Sequence, residues 1–217
     1  MSFLDILLTL LRGAGYTLLI TLSCSATGLL VGLAIAIARE LGGARLSRTL
    51  SAIVYVLRGI PMLVLLFIVF FGLPGIGLDV PPLPAMMLSL GLISGAYLSE
   101  VFRGAFAAVN PNEILAAQAM GFSRFQTLRL IEIPQMARFS VPGMVNELTT
   151  VLKFSPFAYT VGIPEITKQA MALVSTTMRG IEIYAAIGLL YFAIYRLLLV
   201  AVRLIERHYS VPGFAQE

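Results

Sequence analysis

GAGYTLLITLSCSATGLLVGLAIAIA, from Gly13 to Ala38, contains no charged residue. At about 1.5 Å of rise per residue it makes a helix longer than the roughly 30 Å hydrocarbon layer of a bilayer. The stretch therefore reads as a membrane-spanning helix. Small residues recur along it (Gly15, Ser23, Ser25, Gly28 and Gly32), and Gly28-x-x-x-Gly32 suits the close approach of a second helix. Whether that neighbour belongs to the same chain or to a partner copy is left open.

Working outward, four more apolar runs have spanning length: Ala52–Gly72, Leu83–Phe102, Ser140–Val161 and Tyr184–Ile205. The 217-residue chain is 59% hydrophobic and 12% charged, with a mean hydropathy of +0.93. Soluble domains average about 45–50% apolar and about 25% charged residues. The expected fold class is all-α: a polytopic membrane protein of five transmembrane helices, in one domain over residues 1–217. Met1 to Leu11 reads as a short interfacial helix interrupted by Asp5. No Lys or Arg precedes Arg12 and no small-residue cleavage site follows a short apolar core, so a signal peptide is not expected. Cys24 lies alone in an apolar run, as a small filler without a disulfide partner.

Basic residues orient the chain. Arg39, Arg45 and Arg48 follow the first run, while Arg103, Arg124, Arg129 and Arg138 lie between the third and fourth. Arg196, Arg203 and Arg207 mark the last helix and tail. The opposite side has Arg12, Lys168 and Arg179. Positive charge favours the cytoplasm, so the expected N-terminus is outside and the C-terminus inside. The net charge of +4 reflects this topology, and no basic cluster alternates with exposed aromatics as nucleic-acid binding would ask.

On the cytoplasmic side so defined lies LAAQAMGFSRFQTLRLIEIPQ, Leu115 to Gln135. Asn110-Pro111 begins a helix over Asn112–Met120, Gly121 breaks it, and Phe122–Ile133 forms a second piece ended by Pro134. A short helix, a glycine turn and a second helix at the membrane surface read as a docking element for a cytoplasmic partner. Packing only on its own protein is the plain alternative.

Here the residues carry a resemblance. Ala116-Ala117, Gly121 and Ile131-x-Ile133-Pro134 have the spacing of the Glu-Ala-Ala loop of bacterial ABC importer permeases. RGIPMLVLLF (Arg58–Phe67), AYLSEVFRGA (Ala96–Ala105) and the stretch from Pro134 to Ile166 resemble segments of the polar amino acid uptake branch, which takes histidine, glutamine, arginine or opine-type substrates. The likeness spans roughly residues 10–207, with the cytoplasmic loop at about 104–138. Two departures stand out. Leu115 occupies the motif's glutamate position, with Glu113 two residues earlier, and Lys153-Phe154-Ser155-Pro156 replaces Lys-Asp-Thr-Ser.

The resemblance implies a permease subunit paired with a second permease, either a copy or a related paralogue. It implies cytoplasmic ATP-binding subunits beneath and a periplasmic substrate-binding protein above. It assigns Leu115, Ala116, Ala117 and Gly121 to the ATPase contact, where small alanines allow close approach and the glycine allows the turn. ATP would be bound by the partner, leaving this subunit without a cofactor. A membrane-embedded assembly protein or passive channel is the alternative function class.

Ionisable and polar residues within apolar runs suggest a translocation path. Arg58 precedes Gly59 and Pro61, where a break would open the helix near a site; snorkelling to the headgroups is the competing reading for Arg58. Asn146, Glu147 and Lys153 share the fourth run, and Glu147 stands as a candidate partner for Arg58. Lys153 also reads as an outer-interface anchor, and Asn146 as a bridge between neighbouring helices. Glu100 and Arg103 read as an ordinary surface pair. GIPEITKQAMALVS, after Val161, reads as a short outer helix, to receive a binding protein or to close the bundle. Catalysis is not expected: His208 is the single histidine, excluding a multi-histidine metal site, and no phosphate-binding loop or nucleophile elbow occurs.

Overall fold

The computed structural model describes residues 3–209, with side chains described through Leu204. Among the described residues every regular element is helical. Three helices are long and apolar enough to cross a membrane, or four if one bent pair counts as a single span.

The first is α1, Phe3–Leu41. It runs unbroken through the segment expected to be a separate interfacial helix. Asp5 does not interrupt it, because it lies in the first turn, where the helix dipole favours an anion. Ile6 and Leu10 are buried in a cluster with Ala170, Ile183 and Ala186, so this end of α1 packs inside the protein.

The second run does not form one straight span. Helix α2 (Ala44–Gly59) ends where Ile60 turns extended, at φ −87° and ψ 127°. Helix α3 (Met62–Phe67) then starts a segment that continues to Ile76, bent by 98° from α2. Pro61 supplies the reason: it lacks an N–H and pushes the preceding residue out of the helical region.

The third span runs from Pro82 to Ala107 and contains α4 (Pro82–Met86), a π-helical turn (Met87–Gly91) and α5 (Leu92–Ala107). It is the central helix. In its most apolar window 67% of residues are buried, against 28% for α1 and 17% for the last span. The partner of Gly28-x-x-x-Gly32 is this helix. A Cβ on Gly32 would lie 2.8 Å from Leu98 Cβ and 2.9 Å from the Gly95 carbonyl oxygen. One on Gly95 would meet Val31 at 2.8 Å, and one on Gly91 would meet Thr27 at 2.8 Å. Two small-residue stripes of one chain thus let their backbones approach.

Next come α6 (Pro111–Ala119), α7 (Arg124–Thr127), a π turn (Leu128–Glu132) and α8 (Ile133–Phe154). Pro134 does not end the second hairpin piece as expected. It sits in the first turn of α8, where its missing N–H costs little, and the π turn before it leads directly into that helix. The fourth run ends as an α-helix at Phe154 and tightens to a 3₁₀ segment, Ser155–Val161, with Pro156 at its start. Helix α9 (Ile166–Thr177) and helix α10 (Gly180–Tyr209) complete the chain. The side chains of Arg207 and His208 lie outside the described residues.

Candidate functional site

The hairpin is built from its caps. Asn110 Oδ1 accepts from the Asn112 N–H at 3.0 Å, and Pro111 occupies the first helical turn of α6. At the other end Gly121 takes φ +85°. Its N–H donates to Gln118 O at 3.0 Å, and the Phe122 N–H donates to Ala117 O at 3.0 Å. These two bonds form a Schellman closure, which needs the left-handed residue that glycine supplies. Ser123 and Gln126 then make a reciprocal capping box at the start of α7, with bonds of 2.8 and 3.3 Å. Both ends of the turn are satisfied, so the hairpin holds one shape.

Of the residues that sequence singled out here, Leu115 is 61% exposed, Ala116 and Gly121 are exposed, and Ala117 is 4% exposed. Ala117 therefore seats the helix against its own chain, while its neighbours face outward with Met120, which is 78% exposed. A groove of about 450 Å³ runs between α6 and the start of α8, lined by Glu113, Ala116, Met120, Ile131 and Gln135 among others. Gln135 Nε2 donates to Glu113 Oε2 at 2.5 Å across it.

The polar residues singled out within the apolar runs are spread out. The Arg58 guanidinium lies 4.7 Å from the centre of the Tyr97 ring, a cation–π contact between α2 and α5. Pro61 lies at the bend, and both Arg58 and Pro61 are exposed. Among the described residues no ion pair joins Arg58 to Glu147. Glu147 is buried in α8 beside a cavity of about 480 Å³ whose lining includes Ser25, Ser94 and Arg138. The Ser25 hydroxyl is buried without a hydrogen-bond partner, and the buried Ser94 hydroxyl lies beside Glu147. Asn146, one residue away, is exposed. Lys153 lies elsewhere, in a depression with Pro156, Tyr191, Phe192 and Tyr195.

Sequence reasoning missed the groups that tie elements together. Glu100 is more than half of a surface pair: it binds Arg103 at 2.8 Å and also Arg39 of α1 at 2.7 Å, whose side chain is 4% exposed. Arg124 binds Glu40 of α1 at 3.0 Å and also Glu132, whose side chain is buried. No helix spacing signals either link. Glu165, fully buried, caps α9 by accepting from the Thr167 and Lys168 N–H groups at 2.7 and 2.8 Å, and Tyr191 of α10 donates to it at 2.8 Å. Burial pushes the Glu165 carboxyl above its ordinary value, against the lowering effect of those donors. Glu165 follows a proline and opens an apolar helical pattern, which is a capping signal that could have been read.

Long apolar helices, a sharply bent helix pair and a capped surface hairpin define a helical integral membrane protein. The chain belongs to the family of binding-protein-dependent transport system inner membrane components, whose family model matches residues 28–211. It is 33% identical to the histidine/lysine/arginine/ornithine transport system permease protein HisQ of Salmonella typhimurium, over 93% of each chain. It is 32% identical to the probable amino-acid ABC transporter permease protein YckA of Bacillus subtilis, over 92% of this chain and 88% of that one. Its structure is similar to a chain of an amino acid ABC transporter crystallised with histidines, with a TM-score of 0.85, 29% identity, and coverage of 96% of this chain and 99% of that one.

Proposed function

We propose that the chain is the transmembrane permease subunit of an ATP-driven importer and forms the pathway for a polar or basic amino acid. Family membership supports the transport role and disfavours the assembly-protein or passive-channel reading. The names of relatives that carry histidine, lysine, arginine, ornithine or glutamine support the substrate class. In this reading one domain crosses the inner membrane five times, through α1, the bent α2–α3 pair, the Pro82–Ala107 span, α8 and α10. The N-terminus is outside and the C-terminus in the cytoplasm. A periplasmic binding protein delivers substrate, and a second permease subunit completes the pathway. Partner subunits bind and hydrolyse ATP, so this chain carries no cofactor and no catalytic group.

The observation that carries the reading is the doubly capped hairpin with Leu115, Ala116, Met120 and Gly121 facing outward from a seated Ala117. These residues dock the ATP-binding subunit. Closure of the ATP-bound pair then moves the hairpin and, through it, the spanning helices, as a two-state transition biased by a distant ligand. Along the path, the bend at Pro61 places Arg58 at a break in a spanning helix, and Asn146, Glu147 and Lys153 supply polar positions on a single element. Such broken helices and polar groups shape transport sites.

Gly121→Val tests the docking. A β-branched residue at φ +85° costs about 1–3 kcal/mol of backbone strain and disrupts the Schellman turn. The expected result is an inserted permease that no longer co-purifies with its ATP-binding subunit. Retained association overturns the docking reading.

A further inference from the structure

We infer that Arg124 is the positioning residue that transmits hairpin movement to α1, and that Glu40 is the receiving end of that link. The inference rests on the docking reading above and adds the route by which a push on α6 reaches the spanning helices.

The hairpin is fastened to the rest of the chain at two polar points. Gln135 holds Glu113, so α6 is tied to the start of α8. Arg124, at the start of α7, holds Glu40 in the last turns of α1, 84 residues away. Among the described residues, the Arg124–Glu40 pair is the polar link between the hairpin and α1. The same guanidinium also binds Glu132 on the π turn that joins hairpin to α8. A planar fork can hold two carboxylates in fixed relative positions, which a single ammonium cannot.

The α1 end of the link is itself anchored. Arg39, next in sequence to Glu40, is buried and bonded to Glu100 of α5. Two of its nitrogens, Nε and Nη2, are buried without partners, so this side chain is held by packing and one carboxylate. Above it α1 meets the Pro82–Ala107 span through Gly28, Gly32, Gly91 and Gly95, each with no room for an added Cβ. Displacing the Glu40 turn therefore displaces α1 and α5 as one body, because a close-packed glycine interface does not deform continuously. A π turn at the hairpin's exit is a feature that often marks functional positions in helices.

The test uses the whole transporter in proteoliposomes, with its ATP-binding subunit and its binding protein purified from cells carrying its own amino acid. ATP hydrolysis is measured with and without the binding protein for wild type, Arg124→Ala, Arg124→Lys, Glu40→Gln and the double variant. Arg124→Ala is expected to keep the ATP-binding subunit and basal hydrolysis, and to lose stimulation by roughly fivefold or more, in the range of allosteric couplings. Arg124→Lys recovers part of it. Glu40→Gln, which leaves Arg124 paired with Glu132, shows a smaller loss, and the double variant is no worse than Arg124→Ala. Wild-type stimulation in both Arg124→Ala and Glu40→Gln overturns the inference. If Arg124→Ala sheds the ATP-binding subunit, Glu40→Gln decides alone. Gly121→Val in the same preparation separates the two failures: if it still binds the ATP-binding subunit, the docking reading itself has failed.

Discussion

Placing one methyl group at Gly32 and the same methyl at Gly15 should have opposite effects. Both glycines lie on α1 and both are mid-helix. A Cβ on Gly32 would meet Leu98 Cβ at 2.8 Å, Gly95 O at 2.9 Å and Ser99 N at 3.1 Å, and two of these three atoms are backbone. Nothing lies within 4 Å of a Cβ on Gly15. Overpacking a tight contact costs about 1–3 kcal/mol, because a helix backbone cannot step aside as a side-chain tip can. Replacing glycine by alanine within a helix returns about 1 kcal/mol. Gly32→Ala is thus expected to lose about 1 kcal/mol net, and Gly15→Ala to gain up to about 1 kcal/mol, so the two differ by about 2 kcal/mol. For a chain of this size that is roughly 4–8 °C in thermal midpoint. The assay is thermal unfolding of the two purified variants in the same detergent. Equal shifts would refute the claim that the α1–α5 crossing is set by backbone approach.

The buried ion pair offers a second asymmetric comparison. Glu100→Gln should destabilise the protein more than Arg39→Met, because it leaves Arg39 buried without its carboxylate, whereas Arg39→Met leaves Glu100 paired with Arg103; thermal midpoints rank the two, and the reverse order rejects the reasoning. Glu165 carries a pH signature. Its folded carboxyl holds its proton more tightly than the ordinary value of 4.5, so its contribution to stability is full below that value and is lost as pH rises through the folded pKa. Glu165→Gln is expected to flatten the fall of thermal midpoint as pH rises above 4.5, and an unchanged slope rejects the assignment. Tyr97→Leu removes the ring beneath Arg58 and should cost about 0.5–1 kcal/mol, the range for an exposed cation–π contact, measured by the same unfolding assay.

Much of this molecule is legible in its residues alone. The apolar runs name the class of fold, since a helix must satisfy its own backbone in lipid and such stretches have no other stable use. Asn110-Pro111 and Gly121 locate both ends of α6, because capping is a property of a few adjacent residues. The glycine and serine stripe on α1 announces a close helix contact without saying with which helix.

The tertiary structure decided the rest. It showed that the α1 stripe faces Gly91 and Gly95 of the same chain, that Pro134 opens a helix rather than ending one, and that Asp5 interrupts nothing. It also joined Arg39 to Glu100, 61 residues away, and Arg124 to Glu40, 84 residues away. Periodicity, caps and breaks are written in neighbouring residues and can be read locally. A pairing between distant charges depends on how whole helices are rotated and stacked, which is settled by the packing of all of them at once.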